Sequence, residues 1–149
     1  MKNGLETSWY EDGQIEYERN FKDGEPDGLS TRWYEYGQMR REGTYKNGKQ
    51  DGLWTRWYKN GKKSSEGVYK DGDGSDLGNS GIPKNGRDGL WTFWYENGYK
   101  SEESNWKDGK PNGLSTTWYE NGQKKQEETF KNGMILSSKE WNEDGSVKE

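Results

Sequence analysis

DGLWTRWYKNGKK, residues 51–63, sets two tryptophans, a tyrosine and an arginine between two glycines, and near copies of it recur along the chain. Leu53 to Tyr58 is rich in β-branched and aromatic residues, which favour an extended strand. The run ends at Asn60-Gly61, a dipeptide that favours the positive φ angles of a two-residue type I′ reversal. Lys63 to Lys70 then returns, and a second turn of the form Lys-Asp/Asn-Gly-x-x-Asp/Asn-Gly delivers the next leucine. One copy therefore reads as a β-hairpin plus its exit turn. No segment carries the three-to-four apolar spacing of a helix.

Working outward, the Gly-Leu pair recurs at Gly4-Leu5, Gly28-Leu29, Gly52-Leu53, Gly89-Leu90 and Gly113-Leu114, at spacings of 24, 24, 37 and 24. Two further glycine series, one from Gly13 to Gly122 and one from Gly24 to Gly133, keep the same spacings. A fixed period of this kind is the signature of tandem architecture. The units run approximately 3–26, 27–50, 51–72, 88–111 and 112–136; a half unit closes the chain at 137–149, and 73–87 is an insertion. The expected fold is all-β: one domain built as an elongated antiparallel meander of tandem hairpins, about eleven strands in an open, solenoid-like sheet.

Composition explains how so polar a chain orders itself. Leu, Ile, Val and Phe together number only 15 of 149 residues and alanine is absent, a balance that by itself belongs to disordered chains. Nine Trp and ten Tyr supply the missing apolar surface, each with a polar handle suited to a half-exposed position. A net charge of -4 with dispersed lysines offers no footprint for nucleic acid. Zero Cys and zero His remove disulfides, thiolate nucleophiles, the usual general base and the usual metal ligands. No apolar run approaches a membrane span, and the amino terminus has no signal-like core. These features lead to the expectation of a cytoplasmic protein, or of an exported one if a leader has been removed.

With Asn60-Gly61 as a two-residue loop, Trp57 faces Ser64, Thr55 faces Glu66, Leu53 faces Val68, Trp54 faces Gly67 and Arg56 faces Ser65. Since i and i+2 share a face, Leu-Thr-Trp covers one side of the sheet in every unit. The other side keeps a Tyr (10, 34, 58, 95, 119) and otherwise changes between units. Return strands carry an aromatic at 21, 45, 69, 106 and 130, and a Glu three residues before it. Those glutamates lie two strands apart, roughly 9 to 10 Å, so they form no acid/base pair. Each is expected to face or hydrogen-bond the Thr or Trp of its own unit.

Read as Glu-Gly-x-Tyr-Lys-Asp-Gly-x-x-Asp-Gly-x-x-Thr-x-Trp-Tyr-x-Asn-Gly, the unit resembles the MORN repeat. Its length and Gly-Leu-Trp phrase are similar to the variant in bacterial YwqK-type proteins. The resemblance covers everything except about 73–87. It implies a noncatalytic protein-binding role, commonly as the antitoxin or immunity partner of a toxin; related repeats are scaffolds or bind phospholipid. Leu-Trp or Leu-Ser stands where the common unit has a second glycine.

The insertion is rich in Gly, Asp, Asn and Ser and reads as a mobile polar loop. Asp71, Asp73, Ser75 and Asp76 resemble the start of a calcium loop, but Asp76 stands where such a loop needs Gly and Ile82 where it needs a bidentate Glu. No metal or other cofactor is expected. The insertion joins the two units with the most aromatic variable face. Trp54, Arg56, Tyr58, Trp91, Phe93 and Tyr95 form the candidate partner-binding patch, since aromatics and Arg dominate interface hot spots. In the competing reading these rings pack across strands and hold the sheet together.

Three functional classes follow: a protein-binding module whose partner is a protein such as a cognate toxin; a carbohydrate-binding or membrane-associated scaffold; and an enzyme. No nucleophile-elbow, phosphate-loop or metal motif supports the last. Sheet edges add an expectation. Charged Lys139 to Glu143 reads as a capping strand, whereas Leu5 to Tyr10 is less guarded and open to edge-to-edge self-association or to a preceding segment.

Overall fold

Leu53 pairs with Val68, Trp54 with Gly67, Thr55 with Glu66 and Arg56 with Ser65 in the computed structural model, which describes residues 1–78 and 80–149. This is the register read from the repeat. Eleven strands follow one another in space as in sequence: β1 Gly4–Trp9, β2 Ile15–Lys22, β3 Glu25–Trp33, β4 Met39–Lys46, β5 Lys49–Trp57, β6 Lys63–Gly72, β7 Arg87–Trp94, β8 Lys100–Lys107, β9 Lys110–Trp118, β10 Lys124–Lys131 and β11 Met134–Glu140. All neighbours are antiparallel and the sheet is a single open meander.

The turns exchange the roles expected of them. In the loop after β5, Tyr58 N–H donates to Lys62 O at 2.8 Å and Gly61 N–H to Tyr58 O at 3.0 Å. Gly61 takes a φ of 86° while Asn60 does not enter the left-handed region. This is a three-residue loop with a bulged glycine, one of the common hairpin closures. The extra residue moves Trp57 opposite Lys63 instead of Ser64. Asn60 contributes through its side chain, whose Oδ1 accepts from Lys62 N–H at 2.9 Å and whose Nδ2 donates to Glu96 O of the following unit at 3.0 Å. The tight two-residue reversals sit at the exit turns. Asp23-Gly24, Asn47-Gly48, Asp108-Gly109 and Asn132-Gly133 have positive φ at both positions, as type I′ requires.

Neighbouring units are latched by tyrosine. Tyr10 donates to Trp33 O at 2.6 Å, Tyr34 to Trp57 O at 2.7 Å, Tyr58 to Trp94 O at 2.5 Å, Tyr95 to Trp118 O at 2.6 Å and Tyr119 to Trp141 O at 2.8 Å. The glutamates behave as expected in two units: Thr31 Oγ1 donates to Glu42 at 3.1 Å and Thr55 Oγ1 to Glu66 at 3.0 Å. Burial works against the Glu66 carboxylate, but the bonds from Lys63 and Thr55 outweigh it and hold the group below the usual range.

The core lies on the variable face, over units three and four. Trp54, Tyr69, Trp91 and Trp106 are buried, with Tyr45, Ile82 and Phe93 against them. Edge-on contacts link Tyr45 to Trp54 at 5.1 Å, Trp54 to Tyr69 at 6.2 Å and Tyr69 to Trp91 at 4.8 Å between ring centres, so one aromatic chain runs from β4 to β7. Each such pair adds about 0.5–1.5 kcal/mol beyond the area it covers. Room for the indoles comes from glycine. A Cβ on Gly43 would stand 2.0 Å from the Trp54 ring, and one on Gly67 would stand 2.0 Å from the Trp91 ring.

The carboxyl-terminal edge differs from expectation. The last strand begins at Met134, and Met134, Ile135 and Leu136 are exposed. Residues 141–149 turn back through the Trp141–Val147 bridge and the bonds from Asn142 N–H to Ser146 O and Lys148 N–H to Glu140 O, while Trp141 N–H donates to Lys125 O and Asn121 Nδ2 to Glu143 O of the body.

Candidate functional site

The insertion decides what the variable face presents. It is tied to the sheet instead of swinging free of it. Tyr69 Oη donates to Pro83 O at 2.6 Å, and Arg87 donates from Nε to the same oxygen at 3.0 Å and from Nη2 to Ile82 O at 3.1 Å. Asp73 N–H donates to Asn85 Oδ1 at 2.9 Å, and Ile82 packs on the aromatic core. Arg87, only 3% exposed, lies over the rings of Trp91 and Trp106, each at 4.6 Å, and of Phe93 at 5.3 Å. Burial lowers its pKa. A guanidinium is the cation best suited to such a place, because its flat faces stack while its edge donates.

The six patch residues consequently part company. Trp54 and Trp91, 2% and 1% exposed, are core, with Nε1 donating to Thr44 O and Val68 O. Arg56, Tyr58 and Phe93 come together around an open cavity of about 390 Å3, bordered on the insertion side by Ser80 and Ile82. Tyr95 lines a separate hollow with Tyr119, Lys125 and Glu143. Tyr58 and Tyr95 also serve as latches, and burial, followed by the charge of Glu96 for Tyr58 and Glu120 for Tyr95, raises both phenol pKa values. The pairing of glycine with the next unit's tryptophan is what a face-by-face reading misses. The signal was there in the residues: Gly43 precedes Trp54 and Gly67 precedes Trp91, whereas Ser104 precedes Ser115.

A second feature not singled out from sequence is a row of arginines. Arg32 pairs with Arg41 across β3 and β4, and Arg41 with Arg56 across β4 and β5. Arg32 is bonded to Glu16 at 2.9 Å. Burial and the neighbouring Arg56 lower the pKa of Arg41 to about 10, and burial also lowers that of Arg56.

The remaining chemistry is sparse. Glu102 is pushed up by burial, with Arg87 acting in the opposite direction. Among the described residues no group of three or more Asp or Glu side chains is placed to hold a metal ion, and no helix is long and apolar enough to cross a membrane. Asp73 Oδ1 accepts from Ser75 N–H at 2.9 Å.

The MORN repeat variant profile matches residues 2–23, 26–47, 50–71, 87–108 and 111–132, each a forward strand, its hairpin loop and its return strand. This chain belongs to the MORN repeat variant family. A MORN repeat profile also matches residues 42–53. No curated protein matches the chain. MORN repeats are noncatalytic modules that bind proteins or membranes. In this MORN chain the family segments account for β1 to β10, while β11 and the insertion between residues 71 and 87 fall outside them.

Proposed function

We propose that this chain is a noncatalytic protein-binding module, and in the finer reading a bacterial antitoxin or immunity protein that neutralises a toxin by direct contact. The observation that carries the proposal is the open cavity between Arg56, Tyr58 and Phe93, bordered by Ser80 and Ile82 of the insertion. It is a half-exposed aromatic and guanidinium surface on a rigid sheet, and it interrupts an otherwise regular repeat. Aromatic and Arg side chains on a preorganised support are what strong protein contacts use. The sugar-stacking alternative is weakened, because Trp54 and Trp91, the rings it would need on this face, are covered.

Purified chain is to be titrated against the product of the neighbouring reading frame by calorimetry, with growth rescue on co-expression as the functional readout. Binding that Arg56→Ala and Phe93→Ala each weaken at least about tenfold supports the module and its face. Rescue supports the antitoxin reading. A neighbour product that neither binds nor is neutralised removes it.

A further inference from the structure

The row Arg32–Arg41–Arg56 sets like charges directly opposite one another on adjacent strands, an arrangement that destabilises a sheet. Glu16 answers Arg32. Arg41 and Arg56 have no side-chain hydrogen bond or ion pair among the described residues, although both are half-buried. They share a cavity of about 300 Å3 between the sheet and the insertion, with Tyr45, Gln50, Asp73 and Pro83 among its walls. Gln50 is only 5% exposed and its Oε1 has no partner. Gln50 Oε1 lacks a donor and the two half-buried guanidiniums lack a protein acceptor, so the hydrogen-bond set here is incomplete.

We propose that this cavity receives the side-chain carboxylate of an Asp or Glu from a partner protein, held by Arg41 and Arg56. Charge complementarity selects an anion: two unanswered guanidiniums line the cavity and outnumber the Asp73 carboxylate among its walls. Guanidiniums grip carboxylates through paired N–H donors. Arg56 also lines the cavity with Tyr58 and Phe93. The pocket is therefore continuous with the face assigned to the partner, and the inference rests on that protein-binding reading.

The test uses the whole chain and a fluorescein-labelled, carboxyl-amidated Gly-Glu-Gly-Glu-Gly peptide at low ionic strength, with its equally labelled and amidated Gln counterpart and free glutarate as comparisons. Expected are capture of the Glu peptide over the Gln peptide and shifts of the Arg41 and Arg56 Nε–Hε resonances without movement of Arg19. Arg41→Gln and Arg56→Gln should each cost at least about tenfold in affinity, while Lys124→Gln, remote in the sheet, leaves it unchanged. Dispersed amide spectra of each variant guard against misfolding. No preference for Glu, glutarate bound as tightly as the peptide, or affinity indifferent to both arginines would overturn the proposal. Binding of the neighbouring gene product that survives both substitutions would sink the pocket and leave the protein-binding reading standing. Peptide capture lost with the arginines, together with no binding of that product, would do the reverse.

Discussion

The phenol of Tyr58 donates to the main-chain oxygen of Trp94, 36 positions further on, so the latch that joins every pair of neighbouring units closes across the insertion as it does elsewhere. The insertion therefore leaves the sheet unbroken. It replaces one tight exit turn, with Lys70 N–H bonded to Gly86 O at 2.7 Å where the strands resume.

Tyr58→Phe removes one such bond and should lower unfolding free energy by about 0.5–1.5 kcal/mol. Urea denaturation followed by tryptophan fluorescence measures it. Equal stability of the variant and the parent would deny the latch any net contribution.

Alkaline pH should loosen the same structure. The folded pKa values of Tyr58, Tyr69 and Tyr95 lie above their ordinary value, chiefly through burial. The neutral phenol is thus favoured in the fold. The associated stability is complete below about pH 10 and is lost as pH climbs through the raised values. Melting temperature recorded from about pH 8 to about pH 11.5 should fall over the upper part of that range, and less steeply in Tyr69→Phe.

Gly67→Ala places a methyl group inside the Trp91 ring and should destabilise by about 1–3 kcal/mol, as overpacking does. Trp91→Ala should cost about 3–5 kcal/mol. The double variant should cost little more than Trp91→Ala alone, because the clash disappears with the ring. Additive losses in that cycle would mean that the two positions act independently.

Much of this was readable in advance, for a physical reason. Strand order and the pairs from Leu53–Val68 to Arg56–Ser65 follow from period-2 alternation and a repeated turn, both local properties. The displaced partner of Trp57 escaped because Asn-Gly serves two reversals: paired positive φ angles at Asn47-Gly48, but only a left-handed Gly61 after a side-chain-bonded Asn60. Burial of Trp54 and Trp91 depends on a neighbour's missing Cβ and on an insertion that returns Ile82 and Pro83 to the sheet. The arginine row needed register carried across two turns.

Arg87→Gln should detach the insertion before it unfolds the sheet. The substitution removes the charge stacked on three rings and the bonds to Ile82 O and Pro83 O. Limited proteolysis should then cut within residues 73–86 faster than in the parent, at temperatures where the strand amides stay protected from exchange. Simultaneous loss of both protections would show insertion and sheet to be one cooperative unit.

Added salt should stabilise the parent and have less effect on Arg41→Gln, since the repulsion among Arg32, Arg41 and Arg56 is what it screens. Removing the middle charge should itself raise stability by about 0.2–1 kcal/mol at low ionic strength. Chemical denaturation in urea at two salt concentrations reads both effects.

The fit of an indole over a bare backbone in the preceding module also constrains how such a protein can evolve by duplication or loss. Modules two, three and four form an ordered phrase, because a tryptophan-bearing successor is compatible only with a predecessor that has left the space vacant. Shuffling them would put a ring against a side chain at one seam and a void at another. At the flanking seams Arg19 precedes Ser30 and Ser104 precedes Ser115, with no ring to house, so growth and trimming of the array belong at its ends.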